Sequence, residues 1–319
     1  MSSQGLIAEF RAVLWRWVES RLALGTQRRY ARARAEFQDW CQELGVDPTL
    51  LANCDLDVLV ARFALHMKED EDTALARQGC VDLMATLSRR RGGGLHLTAQ
   101  VLRLWHREEP PQQAEAMPAC IAFAMIAVQA LVLESPEAAV HTLCAFSGCL
   151  RIGESLNLRC CDVVLTRRGA PFQAVLILRA TKRSFDQRVV LGHPAVVQML
   201  IDYVARFAPS DALLPLSPMS YARYARIFQK AVSVLRLPGA NWRSHSLRRG
   251  CATSLMESGW RYEDVKLFGR WSSDSSAREY IRLGQTAVSR LQGAITEEKR
   301  RHLHLLAGAS VWAFKGLAA

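Results

Sequence analysis

The stretch QAVLILRATKRSFDQRVVLGH, residues 173–193, interrupts an otherwise helical pattern and sets the fold class. Its apolar runs, QAVLILRA and QRVVLGH, are rich in Val and Ile and flank the polar turn TKRSFD. That arrangement predicts a β-hairpin or part of a small sheet, with Lys182 at the tip. On both sides the apolar residues recur every three to four positions, the spacing of amphipathic helices. Upstream, GLIAEFRAVLWRWVESRLAL, TQRRYARARAEFQDWCQELG, DLDVLVARFALHMKED, DTALARQGCVDLMATLSRRR and LTAQVLRLWHRE predict five successive helices. Thr26, Asp55 and Asp72 stand where N-caps belong, and Gly25, Gly45 and Gly92 to Gly94 end segments. Downstream, helices are predicted from about residues 194, 218, 244, 262, 274 and 285. The expected architecture is mainly α with a small β-sheet.

The segment EEPPQQAEAMP, residues 108–118, is polar and holds three prolines, which marks it as a linker. It divides the 319 residues into an expected helical domain, 1–107, and a second α+β domain, 119–319. MPACIAFAMIAVQALVL, residues 117–133, is uncharged and near the length of a membrane span. Pro118, Gln129 and the abundance of Ala instead predict a helix buried in a protein core. The formal charge of +11 calls for a polyanionic partner. Of the 41 basic residues only six are lysine, and the arginine bias suits bidentate phosphate contact. The nine cysteines form no CxxC pair, and the first twenty residues do not have the pattern of a secretory signal. Both features predict a reducing, intracellular setting.

Four short segments of the second domain carry residues suited to phosphate chemistry. In SGCLRIGESLNLR, Arg151 sits where a turn meets a helix, with Glu154 three positions on and able to orient it. Lys182 lies in the hairpin turn. In SHSLRRGCATSLMESG, His245 and Arg248 share a helix face behind Ser244, the expected N-cap. GRWSSDSSAREYI, residues 269–281, adds Trp271 and Tyr280, with Ser272 and Ser273 as turn and cap. Each residue alone reads as packing, capping or solvated surface. Their combination supplies two guanidiniums, an imidazole, an ammonium, an indole N–H and a phenol.

In that order these residues resemble the pattern of the tyrosine recombinases, the phage-integrase superfamily, which shares its catalytic domain with type IB topoisomerases. The matching elements are LRIGE, TK, HSLR and GRW, with Tyr280 nine residues after Trp271. GRWSSDSSAREYIR is similar to sequences of DIRS-type and related mobile-element recombinases. The resemblance spans roughly residues 140–285 and implies a helical core-binding domain ahead of an α+β catalytic domain. It also implies double-stranded DNA as partner, a dimer on each site and a tetramer in the synapse, and neither metal nor cofactor. Tyr280 would be the nucleophile, forming a 3′-phosphotyrosine. Arg151 and Arg248 would hold the phosphate oxygens, Lys182 would protonate the departing 5′-oxygen, and His245 would assist proton transfer. Trp271 stands where histidine is commoner in the family, and indole N–H donates only, so it can hold a phosphate oxygen but not move a proton. Cys149, between Gly148 and Leu150, departs from the usual Gly-Leu-Arg and implies a local change in that turn.

Arg28, Arg29, Arg32 and Arg34 cluster on one predicted helix beside Tyr30, as expected of a surface lying on DNA phosphates. In the tail, about residues 285–319, Trp312 and Phe314 offer a face for docking on a neighbouring protomer or for packing on their own domain. The expected function is site-specific DNA recombination, for integration or excision of a mobile element. The alternatives are topoisomerase-like relaxation and a DNA-binding relic that no longer cleaves. The expected location is intracellular and DNA-associated, in the nucleus of a eukaryote or the nucleoid of a bacterium.

Overall fold

The computed structural model describes residues 20–69, 73–91, 94–108, 114–165, 173–180, 185–237, 241–274, 277–278, 281 and 295–315. The chain divides into two compact units, residues 1–112 and 113–319.

The first unit is helical among its described residues: α1 Leu24–Glu43, α2 Asn53–Glu69, α3 Thr73–Arg91 and α4 His96–Glu108. The three-to-four spacing buries one face of each helix in a shared core that includes Phe37, Cys41, Val60, Phe63, Leu83, Leu102 and Trp105. Asp57 of α2 caps the start of α4: its carboxylate accepts from the backbone N–H groups of Leu97 at 2.8 Å and Thr98 at 2.9 Å, and from Thr98 Oγ1 at 2.7 Å. Gly45 ends α1 with φ +68°, as expected of a helix-stopping glycine. Two expected caps are displaced. α1 starts at Leu24 behind Ala23, so Thr26 and Gly25 lie within its first turn, and Asp55 sits in the first turn of α2. A carboxylate there still faces the positive end of the helix dipole. The helix expected over 5–24 lies almost wholly outside the described residues, as does Asp72.

The second unit begins with Ala114–Pro118, the latter part of the expected linker, which runs against the helix that carries HSLR. α5 Ala119–Ala127 follows and widens into a π-helical turn at Val128–Val132. Residues 121–122 and 124–128 are buried, as expected of a core helix, and among the described residues no helix is long and apolar enough to cross a membrane. Next come α6 Pro136–Ser147, α7 Ile152–Leu156, a 3-10 turn at Cys160–Asp162 and strand β1 Val163–Leu165. β2 Ala174–Ala180 and β3 Phe185–Leu191 form the predicted hairpin, and β1 adds a third antiparallel strand in the order β1-β2-β3. Alternation sorts the hairpin by face. Ala174, Leu176, Leu178, Val189 and Leu191 pack in the core with Val140 and Leu143 of α6 and Val197 and Leu200 of α8, Pro194–Arg206. α9 Tyr221–Leu235, α10 Ser244–Glu257, α11 Tyr262–Phe268 and α12 Glu297–Ala309 follow among the described residues, and the helix expected from about residue 285 begins outside them. Ser220, at the N-cap of α9, accepts from the Arg223 N–H at 3.2 Å.

Two hydrogen bonds hold the backbone of Ala114 and Met117 against α10. Met117 N–H donates to Ser246 O at 3.0 Å, and Arg249 Nη1 donates to Ala114 O at 2.7 Å. Gly250 permits this, because a Cβ there would lie 2.8 Å from the Met117 carbonyl carbon and nearer still to its oxygen. Ser244 is the first residue of α10 and Arg243 is its N-cap; the capping side chain is Ser246, whose Oγ accepts from Arg243 N–H at 3.1 Å. In the tail, α12 packs with α5 through Leu303, and Phe314 meets Tyr203 edge-on at 5.2 Å. Residues 295–315 therefore pack within their own unit, while Trp312 and Leu305 are exposed.

Candidate active site

Three segments of the second unit meet around Glu154. The first is the turn from α6 into α7. Cys149 takes the left-handed conformation with φ +49°, while Gly148 has an ordinary negative φ. The departure noted in the sequence is thus a local one: the residue before Leu150 makes the turn even though it carries a side chain. Arg151 is the N-cap of α7. Its N–H donates to Glu154 Oε2 at 2.9 Å and its Nη1 donates to Oε1 at 2.7 Å, so Glu154 orients it as the i,i+3 spacing predicts.

The second segment is α10. Arg248 is 1% exposed. Its Nη1 donates to Cys149 O at 2.7 Å and its Nη2 to Gly269 O, and Nη1 stands 3.7 Å from Glu154 Oε2. His245 lies one turn away at the surface. Desolvation of its ring, reinforced by the guanidiniums of Arg248, Arg249 and Arg151 and opposed by Glu154, holds its pKa below the usual imidazole value.

The third segment is Gly269–Trp271, after α11. Arg248 lies over the Trp271 ring, 4.8 Å from its centroid. A Cβ on Gly269 would fall within that ring, so the glycine is what lets the indole fold back over its own turn. Trp271 shares a buried cluster with Cys149, Cys251, Ala252, Val265, Ala277 and Ile281. Ser273 supplies a carbonyl to Ala277 N–H at 3.3 Å, in keeping with the expected turn at the start of a helix.

Arg270 was not singled out from the sequence, and the fold brings it into the site. It is almost wholly buried and takes the left-handed conformation with φ +58°. Its Nη2 donates to Glu154 Oε2 at 2.9 Å and to Cys149 O at 3.3 Å, and its Nη1 to Gly148 O at 3.4 Å. Burial by itself would raise the Glu154 pKa. The Arg151 N–H, Arg270, the Arg151 side chain and Arg248 outweigh burial and keep the carboxylate ionised, below its ordinary value. The only signal in the sequence was a third arginine in GRW; nothing local ties it to a carboxylate 116 positions away.

The structure thus brings together Arg151, Glu154, His245, Arg248 and Trp271. Lys182 and Tyr280 lie outside the described residues. Arg28, Arg29, Arg32 and Arg34 are on α1 of the first unit, where Arg29 Nε is 3.3 Å from Asp82 Oδ2 and Arg32 Nε is 2.6 Å from Glu36 Oε1. Among the described residues no cluster of His, Cys, Asp or Glu is arranged to hold a metal ion.

No curated protein sequence matches the chain. Several solved structures share its fold at low identity. The Tn1549 transposon integrase, solved in complex with circular intermediate DNA, has a TM-score of 0.62 at 16% identity, covering 86% of this chain and 94% of that one. A lambda integrase dimer bound to a COC' core site has a TM-score of 0.60 at 14% identity, covering 88% and 95%. XerH site-specific recombinase, bound to a palindromic difH substrate in a post-cleavage complex, has a TM-score of 0.61 at 13% identity, covering 89% and 83%. A family model described as the phage integrase family matches residues 126–286, half of the chain and all of the elements that meet at Glu154. The chain belongs to the phage integrase family, the tyrosine recombinases.

Proposed function

We propose that this protein is a site-specific DNA recombinase that cleaves and rejoins double-stranded DNA through Tyr280, in the integration or excision of a mobile element. The observation that carries the reading is the guanidinium pair, Arg151 and Arg248, set around one buried carboxylate in a chain of this family. Phosphoryl transfer asks mainly for a nucleophile, positioning and charge stabilisation. The Tyr280 phenolate attacks the scissile phosphorus, the bond to the 5′-oxygen breaks, and a 3′-phosphotyrosine and a free 5′-hydroxyl result. A phenol near pKa 10 needs help to lose its proton. His245 takes up that role, because its depressed pKa keeps the imidazole neutral and able to accept. Lys182 delivers the proton to the departing oxygen. Arg151, the more exposed of the two guanidiniums, meets the phosphate directly. Arg248 does so by exchanging Cys149 O or Gly269 O for a phosphate oxygen, with Trp271 as a neighbouring donor.

The helical unit is the second half of a clamp on the duplex, with the arginines of α1 on backbone phosphates. The DNA complexes of the Tn1549 and lambda integrases support DNA as the partner, and the lambda integrase dimer supports a dimer on each site; a tetramer in synapsis follows as two such sites brought together. The protein would work wherever its host keeps DNA. A suicide DNA substrate, recovered by selecting bound sequences from a random library, tests the reading. Wild type should become covalently attached and Tyr280→Phe should not. An adduct that survives the substitution removes Tyr280 as nucleophile. Relaxation of supercoils with no exchange between sites would indicate topoisomerase-like action, and footprinting with no adduct would indicate a DNA-binding relic.

A further inference from the structure

Glu154 faces three guanidiniums, those of Arg151, Arg248 and Arg270. Glu154 Oε1 is taken by Arg151 Nη1 at 2.7 Å. Oε2 is taken by Arg151 N–H and by Arg270 Nη2, both at 2.9 Å. Arg248 therefore stays 3.7 Å from Oε2 and bonds backbone carbonyls instead. A carboxylate bonded by an arginine at each oxygen competes poorly for a further one, whereas a buried carboxylate whose second oxygen holds only a backbone N–H captures the nearest guanidinium more tightly. The carbonyl of Cys149 accepts from both Arg248 and Arg270, so Arg270 also steadies the acceptor that Arg248 must leave. Arg270 Nε is buried and donates to no acceptor among the described residues. Holding a guanidinium in a left-handed residue with an unmet donor is unfavourable, which is what would be expected if the side chain serves the reaction rather than the fold.

Resting on the proposed recombinase reading, we infer that Arg270 is a positioning residue for strand cleavage: by occupying Glu154 Oε2 and bridging to the Gly148–Cys149 turn, it keeps Arg248 available to the scissile phosphate. Lysine cannot replace it, because a single ammonium does not span a carboxylate and two carbonyls with fixed geometry.

The test separates backbone from side chain. Arg270→Gly deletes the guanidinium and relieves the positive φ, which offsets part of the cost of leaving Glu154 buried with one ion pair fewer. Single-turnover cleavage of the suicide substrate, DNA affinity and thermal unfolding are measured for wild type, Arg270→Gly, Arg270→Lys, Glu154→Gln and the double variant Arg270→Gly/Glu154→Gln. Both Arg270 variants should cleave about 10-fold to 100-fold more slowly, the scale of a small misplacement at a reacting centre, at a temperature where every variant is folded and with DNA affinity unchanged. Adding Glu154→Gln to Arg270→Gly should recover part of that loss, because the competing carboxylate is gone. Cleavage by Arg270→Gly at the wild-type rate overturns the inference and leaves the recombinase reading standing. So does a double variant no faster than Arg270→Gly. Failure of wild type itself to form an adduct overturns both.

Discussion

Replacing Gly250 with alanine should destabilise the protein, although the same substitution ordinarily strengthens a helix. Gly250 lies inside α10, where alanine is favoured by about 1 kcal/mol on propensity alone. Its Cα faces the backbone of Met117, and an added Cβ would stand 2.8 Å from the Met117 carbonyl carbon and 3.0 Å from its nitrogen. Both neighbours are main-chain atoms, so no side chain can turn aside, and the segment Ala114–Pro118 has to move away from α10. Overpacking of that kind costs about 1–3 kcal/mol. The shift also strains the bond from Met117 N–H to Ser246 O, worth about 1 kcal/mol. Set against the helix gain, the net loss is about 2 kcal/mol, or about 4–8 °C in melting temperature for a unit of this size. Calorimetry of the full chain reads it from the transition of the second unit. Gly308→Ala is the internal control: Gly308 is in α12 with nothing near its Cβ direction, and its variant should be unchanged or more stable. A Gly250→Ala variant as stable as wild type would refute the close approach of the two backbones. Because α10 also carries His245 and Arg248, the substitution should slow cleavage as well.

Further outcomes follow from single sites. Arg236 ends α9 in the left-handed conformation with φ +46° and is exposed, so Arg236→Gly should raise stability by about 1 kcal/mol in urea unfolding. His141 is fully buried with Nδ1 3.1 Å from Ser155 Oγ, and burial pushes its pKa down to about 4. Between that value and 6.5 the unfolded chain binds the extra proton, so stability falls on acidification through this window, by up to about 3 kcal/mol at its lower end. Urea unfolding at pH 7 and pH 4.5 should show the loss in wild type and a smaller one in His141→Gln. His245 also has a lowered pKa and is neutral to lower pH than a free imidazole. The acid limb of the cleavage rate should therefore lie below pH 6.5 and disappear in His245→Gln.

Much of the fold was legible because short-range chemistry specified it. The Val and Ile runs around TKRSFD could only be paired strands, and alternation put Leu176, Leu178 and Val189 inward. β1 leaves no mark in the sequence because three residues are too few to display a period, and only its pairing partner, β2, makes it a strand. The N-cap of α1 falls at Ala23 rather than Thr26 for a related reason: an end that lacks a capping side chain has no local marker.

The site divides along the same line. Sequence alone determined that Arg151, Glu154, His245, Arg248 and Trp271 lie at helix ends and turns, because capping, i,i+3 spacing and glycine act over a few residues. Tertiary structure alone decided that Arg248 joins Arg151 at the Glu154 carboxylate. It also decided that Arg248 is buried under an indole, and that Arg270 belongs with them. Those facts depend on the left-handed turns at Cys149 and Arg270 and on the passage of Met117 against Gly250. Each joins residues about a hundred or more positions apart, where no local preference of the chain can reach, and only the packed core brings the backbones close enough for a guanidinium to span them.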